Sequence, residues 1–303
     1  MSDDLTFDLS FPAENGRCVE VSPLVRRIVA PNGGPFTFTG TCTYIVGRGR
    51  VAVIDPGPDA PEHIEAVLNA VRGETVTHIV PSHTHRDHTP GIAPLKTATG
   101  ALVIGCGPHR ASRPLAPGEA HPLEASGDRD YRPDSELPDG EAIAGPGWTL
   151  RALATPGHTA NHLCFALPEE KTLFSADHVM AWSTTVVAPP DGSMSDYMAS
   201  LGRLRGRGDA VYWPGHGGPV REPERFVRAL AHHRRQREAS ILGRLVAGDR
   251  TIAAIVPAIY VGLAAALRGA AGLSVFAHLE DLVSRGVVAT DGPPSLDGQY
   301  RLA

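Results

Sequence analysis

The sequence predicts an α/β layered domain followed by a small winged-helix-like domain. Three observations support this prediction. Short apolar strands alternate with amphipathic helices from the start of the chain to about residue 220. Several of those strands end directly at a His or an Asp. After about Pro223 the pattern becomes helical and closes with two strand-like runs, so we expect one domain at residues 1–225 and another at residues 226–303.

The elements of the first domain follow from hydrophobic periodicity and from turn residues. We expect strands at Thr41–Val46, Val51–Ile54, Val76–Val80, Ala101–Ile104, Leu150–Ala154, His162–Leu167, Thr172–Phe174 and Ala210–Trp213, and helices at Pro61–Arg72 and Gly91–Thr99. Residues 107 to 147 are rich in Gly, Pro and charge, so we expect loops around a few short strands there.

The second domain is expected to contain three helices and a hairpin. The helices are predicted at Glu224–Val246, at Ile252–Tyr260 capped by Thr251, and at Val275–Arg285 capped by Ser274, and the strands at Val287–Ala289 and Tyr300–Leu302. The segment His232–Arg235 is expected on the solvated face of its helix. We expect this domain to pack against the first, where it would shape a pocket or a homodimer.

Composition and charge restrict the class of protein. The 303 residues are 42% hydrophobic and 20% charged, as in ordinary globular chains. The net charge is −5, which does not favour a general nucleic-acid binder. Four widely spaced Cys residues argue against a disulfide framework and a thiolate zinc site. Met1–Asp4 is acidic and the apolar run Ile252–Leu267 is short, so we expect a cytoplasmic protein with neither a signal peptide nor a membrane span.

Four potential metal ligands lie within six residues in the segment His83-Thr84-His85-Arg86-Asp87-His88, directly after a predicted buried strand. Groups this close would compete for protons unless a cation drew them together. Three later strands each end at one further candidate, namely His158, Asp177 and His216. Each of these alone is more often structural, but together with the cluster they indicate a metal site.

This ordered set resembles the metallo-β-lactamase superfamily over roughly residues 10 to 225. The resemblance implies a four-layer αββα sandwich with a dinuclear site at one sheet edge. By position it implies three sets of ligands: His83, His85 and His158 for the first metal, Asp87, His88 and His216 for the second, and Asp177 as the bridge. Two zinc ions are expected, with manganese or iron as alternatives. A Glu at the position of His85 would have indicated a diiron redox protein instead.

The His-rich second site, which has no Cys, resembles the hydrolase branch near glyoxalase II. The segment Phe36–Tyr44, the segment Ser175–His178 and the C-terminal domain narrow the resemblance to the β-lactamase-like protein 2 group. This implies a hydrolase, similar to hydroxyacylglutathione hydrolases, in which a metal-bridging hydroxide attacks a small ester or thioester. Asp177 would fix the bridge and Asp87 would orient the attacking water. The group usually has Asn where this chain has Cys42, so the resemblance leaves substrate specificity open.

Several further residues have two interpretations each. Asp55 is either a partner of a ligand imidazole or a turn cap. His178, beside the predicted bridge, either donates a hydrogen bond or a proton to substrate, as a catalytic residue, or fills the site wall. For His162 and Tyr44 the sequence favours a packing role.

Alternative functions share the same metal chemistry. A single-strand-specific endoribonuclease is favoured by the Arg-rich helix and the winged helix, which would make single-stranded RNA the partner. It is opposed by residues 1–220, which carry 17 basic against 25 acidic groups. A β-lactamase is less favoured because no Cys accompanies the second-metal ligands. A DNA-binding regulator is less favoured because Ser274–Arg285 carries Glu280 and Asp281 but one Arg.

Overall fold

Two mixed β-sheets form the centre of the molecule in a computed structural model that describes residues 5–12, 14–115, 119 and 126–303. The seven-stranded sheet runs in the order β1 to β7, and the five-stranded sheet in the order β12-β11-β10-β9-β8. The strands are β1 Val19–Glu20, β2 Val25–Val29, β3 Cys42–Val46, β4 Arg50–Ile54, β5 Thr75–Val80, β6 Leu102–Gly105, β7 Ser135–Glu136, β8 Ala142–Gly145, β9 Trp148–Ala154, β10 Leu163–Leu167, β11 Thr172–Ala176, β12 Val211–Pro214, β13 Val288–Thr290 and β14 Tyr300–Leu302. The helices are α1 Pro61–Ala70, α2 Ile92–Thr99, α3 Met194–Leu204, α4 Pro223–Val246, α5 Ile252–Ile259 and α6 Arg268–Ser284.

The two sheets pack face to face with helices outside each of them. Large side chains such as Phe165 and Phe174 fill the space between the sheets, and Val67 of α1 and Leu95 of α2 belong to the same core. On the far side of the second sheet, α3 and α4 pack against β10 and β11 in a separate core. This arrangement is the four-layer αββα sandwich, so the predicted fold class is confirmed.

Strand direction brings the ends of five strands to one place. β4 and β5 are parallel, and so are β11 and β12. β9 and β11 also run the same way, because both are antiparallel to β10. The two sheets meet at this edge, where the Cys42 amide of β3 donates to the Gly215 carbonyl after β12 at 2.7 Å. Loops that follow β4, β5, β9, β11 and β12 therefore converge.

The C-terminal elements form a winged-helix domain, as predicted. Its core contains Leu245 of α4, Phe276 of α6 and Tyr300 of the β13–β14 hairpin. Thr251 caps α5 as expected, since its hydroxyl accepts from the Ala254 amide at 3.3 Å. The first half of α4 packs on the sandwich and the second half on the winged helix, so α4 runs through the predicted division at residues 225/226. That division stays a prediction.

Two predictions for this domain are wrong. α6 begins at Arg268 rather than at Val275, so Ser274 lies inside the helix and does not cap it. The sequence did not indicate the first turns of α6 because they contain small residues and glycines, which give no apolar periodicity. Arg234 was expected in solvent but is 3% exposed. It lies on the face of α4 that packs against the rest of the molecule.

Two predictions fall partly outside the described residues. The absence of a signal peptide was inferred from Met1–Asp4, and part of the loop region at 107–147 is residues 116–118 and 120–125. Within the described ranges, no helix combines the length and the apolar character that crossing a membrane requires.

Candidate metal centre

The predicted ligands all lie at the edge where the five strands end. His83 to His88 follow β5, His158 follows β9, Asp177 follows β11 and His216 follows β12. Crowding there requires glycine at position 215, because a Cβ on that residue would lie 2.4 Å from Asp177 Oδ1 and 2.9 Å from His88 Cε1. The chain therefore keeps this position free of a side chain so that two ligands can approach.

One group of potential ligands consists of three imidazoles and a carboxylate, all buried or nearly so. Nδ1 of His85 lies 3.2 Å from Nε2 of His83 and 2.9 Å from Nε2 of His158. Asp177 Oδ2 lies 3.5 Å from His158 Nε2 and 3.9 Å from His83 Nε2. Ring nitrogens that face one another at such distances suit a single cation with metal–nitrogen bonds of about 2.0–2.1 Å.

A second group contains Asp87, His88 and His216. Asp87 Oδ2 lies 3.1 Å from His216 Nε2 and 3.3 Å from His88 Nε2. Asp177 also faces this group, with Oδ2 at 3.4 Å from His216 Nε2 and Oδ1 at 3.6 Å from His88 Nε2. Asp177 therefore lies between the two groups.

Buried polar atoms here fit a divalent metal. Although carboxylate and imidazole groups lie 3.1–3.6 Å apart here, His88 Nε2, His216 Nε2 and Asp177 Oδ1 are buried and make no contact of hydrogen-bond geometry among the described residues, whereas buried polar atoms normally make one. Burial disfavours a charged imidazole at His216, but the carboxylates of Asp177 and Asp87 outweigh it and raise the pKa of His216 to about 9. The pocket thus attracts positive charge, and its nitrogen and carboxylate donors suit a divalent cation.

Hydrogen bonds on the far side of three of these rings, His83, His88 and His158, fix which nitrogen faces the centre. Nδ1 of His88 donates to Asp55 Oδ2 at 3.0 Å, and Nδ1 of His158 donates to the Val186 carbonyl at 2.6 Å. The Ser82 hydroxyl donates to Asp55 Oδ2, so its oxygen is free to accept from Nδ1 of His83 at 2.9 Å. In these three rings Nε2 is left with a lone pair for a cation.

Asp55 holds both the ligand loop and a ligand ring. Its Oδ1 accepts from the Ser82 amide at 2.7 Å, besides its bonds to the Ser82 hydroxyl and to His88. Of the two interpretations from sequence, the partner of a ligand imidazole matches these contacts. Asp55 has a positive φ of 47°, a conformation that Asp and Asn tolerate better than most residues.

A cavity of about 950 Å³ opens directly onto the centre. Its polar wall contains the predicted ligands His85, Asp87, His158, Asp177 and His216, and its apolar wall includes Phe36, Met180 and Val186. Among the lining residues that the structure describes, Arg86 alone is a Lys or Arg. The volume suits a small organic ligand.

Three of the uncertain residues are buried away from this cavity. His178 is fully buried and its ring lies 4.8 Å from the Tyr197 ring; burial, with His158 and Arg234 nearby, lowers its pKa to about 3. Cys42 is also buried, and burial raises its pKa to about 11. Tyr44 donates to the Pro214 carbonyl at 2.8 Å, as a packing residue does. None of the three is among the described residues that line the cavity.

Sequence reasoning missed a polar network that braces the ligand loop. The Thr84 hydroxyl, between two ligands, lies 2.9 Å from His109 Nδ1 and accepts from Asn161 Nδ2 at 3.0 Å. His109 Nε2 is in turn 3.4 Å from Asp191 Oδ1. His109, Asn161 and Asp191 come from three segments distant from Thr84 and have no recognisable spacing, so the sequence carried no signal for the network.

A second connection that was missed reaches the centre from the C-terminal domain. The Arg234 guanidinium of α4 donates to the Thr185 carbonyl and to Ser274 Oγ of α6. The Thr185 hydroxyl contacts the Asp177 carbonyl at 2.7 Å and the His178 carbonyl at 2.9 Å. Arg234 therefore connects the winged helix to the loop that carries Asp177.

Comparisons with known proteins agree with this architecture. Residues 36–216 match the metallo-beta-lactamase superfamily model, and residues 251–293 match the beta-lactamase associated winged helix domain. A beta-lactamase-like protein 2 homolog of Caenorhabditis elegans is 32% identical over 275 residues, covering 89% of this chain and 87% of that protein. An atrochrysone carboxyl ACP thioesterase of Aspergillus terreus is 30% identical over 259 residues, covering 80% of this chain and 73% of that protein.

A solved structure shows the same fold. It is a metallo-beta-lactamase family protein from Thermus thermophilus, with a TM-score of 0.73 and 24% identity over 94% of this chain and all of that one. The sandwich, the ligand cluster at its edge and the matched models lead to one assignment. The chain is a hydrolase of the metallo-β-lactamase superfamily with a C-terminal β-lactamase-associated winged helix domain.

Proposed function

We propose that the chain is a dinuclear metal-dependent thioester hydrolase. One observation carries this proposal: two groups of buried ligands share Asp177 and open onto a mainly apolar cavity. His83, His85 and His158 would hold one cation, and Asp87, His88 and His216 the other, with Asp177 between them. Zinc is the first expectation for such donors, with manganese or iron as alternatives. A cytoplasmic location and a homodimer stay predictions from the sequence.

Two divalent cations, when bound, lower the pKa of water and polarise a carbonyl oxygen. In the overall reaction, a C–O bond forms between water and the acyl carbon, the C–S bond breaks, and the thiol leaves with a proton. Asp87 lies at the cavity wall, so its carboxylate can orient the attacking water. Phe36, Met180 and Val186 exclude bulk water from the acyl group.

His178 has no place in this mechanism, although the sequence suggested a catalytic role. It is buried away from the cavity, and its low pKa keeps the ring neutral. We propose that it is structural and fills the wall behind Asp177.

The choice of a thioester over RNA depends on charge. A groove that follows a phosphate backbone needs repeated cations, but Arg86 is the one Lys or Arg among the described lining residues. Three arginines of the Arg-rich helix are already engaged within the protein, because Arg225 pairs with Glu222, Arg234 is buried and Arg237 stacks on Tyr260. The name of the Aspergillus terreus relative is that of a thioesterase, which supports the same choice.

The test is a substrate panel on the metal-loaded protein: acyl-CoA thioesters, lactoylglutathione, nitrocefin and a fluorescent single-stranded RNA. We expect thioester turnover that falls at least roughly 100-fold in Asp87→Asn. Asp134→Asn is the matched control, since Asp134 is exposed and pairs with Lys96 at 2.6 Å. A wild-type protein that leaves the thioesters intact but cleaves RNA would replace this proposal with the endoribonuclease, and one that cleaves nitrocefin instead would replace it with the β-lactamase. In either case the cleavage should be lost in Asp87→Asn.

A further inference from the structure

The cavity at the metal centre has a wall that the sandwich does not provide. Part of it is Gly269, Ala270, Gly272 and Leu273 from the first turns of α6, and Leu296 from the loop between β13 and β14. The winged-helix domain therefore closes the space in front of the ligands. Among the described lining residues, the winged-helix domain contributes glycines and apolar side chains and no polar side chain.

Neither backbone conformation nor close packing explains why two residues of this wall, Gly269 and Gly272, are glycines. Gly269 and Gly272 lie inside α6, where glycine is less favourable than alanine. Neither has a positive φ, and a Cβ on Gly269 would meet nothing within 4 Å. A Cβ on Gly272 would meet only Ile252 Cγ2 at 3.7 Å, an ordinary contact. Backbone conformation and close packing thus do not require glycine at either position.

Helix geometry places part of this wall on one side of α6. Gly269 and Leu273 lie side by side, because they are four positions apart in the helix. Ala271 lies on the opposite side of α6 and packs in the winged-helix core. Gly269 and Leu273 therefore line the cavity together, and the missing side chain at Gly269 leaves open space there.

We propose that this wall is the acyl-binding site of the enzyme, and that Gly269 and Leu273 set the length of the acyl chain that fits. The inference rests on the proposed thioester hydrolysis, since the acyl carbon must lie at the ligands Asp87 and Asp177. An apolar acyl chain of medium length would extend from there between Met180 and Val186 on one side and Leu273 and Leu296 on the other. The site takes the chain because this wall is apolar, and no charged side chain lies on the part of it that α6 provides.

The test measures kcat/KM of the metal-loaded protein for acetyl-, hexanoyl- and decanoyl-CoA. Gly269→Leu fills the open space, so we expect the decanoyl-to-acetyl ratio of kcat/KM to fall about tenfold, mainly through KM. Leu273→Ala enlarges the same space, so the ratio should rise. Gly243→Leu is the matched control, because Gly243 is a glycine in α4 whose Cβ would also meet nothing within 4 Å. It should keep the wild-type profile.

A parallel binding measurement separates this inference from the proposed function. Calorimetry with decanoate, the product-class ligand, should show binding to wild type and to Gly243→Leu and weaker binding to Gly269→Leu, whether or not thioesters are turned over. Equal losses for all chain lengths, an unchanged profile in both wall variants, or no decanoate binding to wild type would overturn the acyl-wall proposal. Decanoate binding without any thioester turnover would instead overturn the proposed reaction.

Discussion

At the scale of single residues, the centre depends on groups that are not ligands. Asp55 accepts hydrogen bonds from the Ser82 amide, the Ser82 hydroxyl and the His88 ring. Through these contacts it fixes the start of the ligand loop and the tautomers of two ligand rings. The seven predicted ligands were recognisable because their residue types and spacing are unusual. The role of Asp55 was open, because one Asp at a strand end is also an ordinary turn cap.

The contribution of Asp55 can be measured directly. Asp55→Asn keeps the size of the side chain and tolerates the positive φ, but it loses the negative charge beside His88. We expect metal affinity to fall about 10- to 100-fold, as measured by competition with a coloured chelator. Asp134→Asn at the exposed Lys96 pair is the control. Equal affinities in the two variants would show that Asp55 is only a turn residue.

At the scale of secondary structure, strand ends were more predictable than helix starts. Apolar runs that stop at a His or Asp gave β5, β9, β11 and β12 to within a few residues, because each strand is bounded by turns. The start of α6 was missed because Gly269 and Gly272 interrupt its periodicity. Burial of Arg234 was missed because a run of His and Arg resembles a solvated face. Tertiary contacts with α3 and α6 decide the environment of that residue.

Arg234 is predicted to stabilise the junction between the two domains. Its guanidinium is buried against the Tyr197 ring at 5.1 Å and donates to the Thr185 carbonyl. Arg234→Met leaves that carbonyl without its donor, so we expect a loss of about 1.5–3 kcal/mol in unfolding free energy, together with weaker metal binding. Arg234→Lys should recover part of both. The exposed neighbour provides the control, Arg235→Met; identical melting temperatures and metal affinities for the two Met variants would refute the connection.

His278 of α6 is predicted to make the protein sensitive to acid. Its ring is 1% exposed, and both ring nitrogens lack a hydrogen-bond partner in the described part of the chain. Burial, with Arg234, Arg237, His233 and Arg285 nearby, lowers its pKa to about 3 from 6.5. The unfolded chain therefore binds a proton that the folded chain does not, and stability is lost as pH falls below 6.5.

The size of this loss of stability follows from the lowered pKa of His278. Lowering the pH from about 7.5 to 5.5 should remove roughly 1.4 kcal/mol of stability through one such buried imidazole. His278→Leu should lose less stability than wild type over this interval in thermal unfolding, and the exposed-site variant His232→Leu should behave as wild type. If His278→Leu and wild type lose the same amount, the ring is not buried in its neutral form.

At the scale of the whole molecule, the sandwich and the winged helix act as one unit. The sandwich brings the predicted ligands together at one edge, and the winged helix closes the cavity in front of them. The order of the elements predicted both domains, since periodicity changes after about residue 220. The sequence also predicted that the two domains pack against each other, but it did not indicate which residues form the contact. The residues that form it, such as Arg234 and Gly269, carry no spacing that a sequence could reveal.

The central claim is that one chain holds two divalent metals that share Asp177. The most direct measurement is elemental analysis of the protein after reconstitution with zinc and removal of excess metal, with protein concentration from amino-acid analysis. We predict about two zinc ions per chain, and fewer than two in Asp177→Asn, with Asp134→Asn equal to wild type. One metal or none in the fully reconstituted wild-type protein would contradict the account.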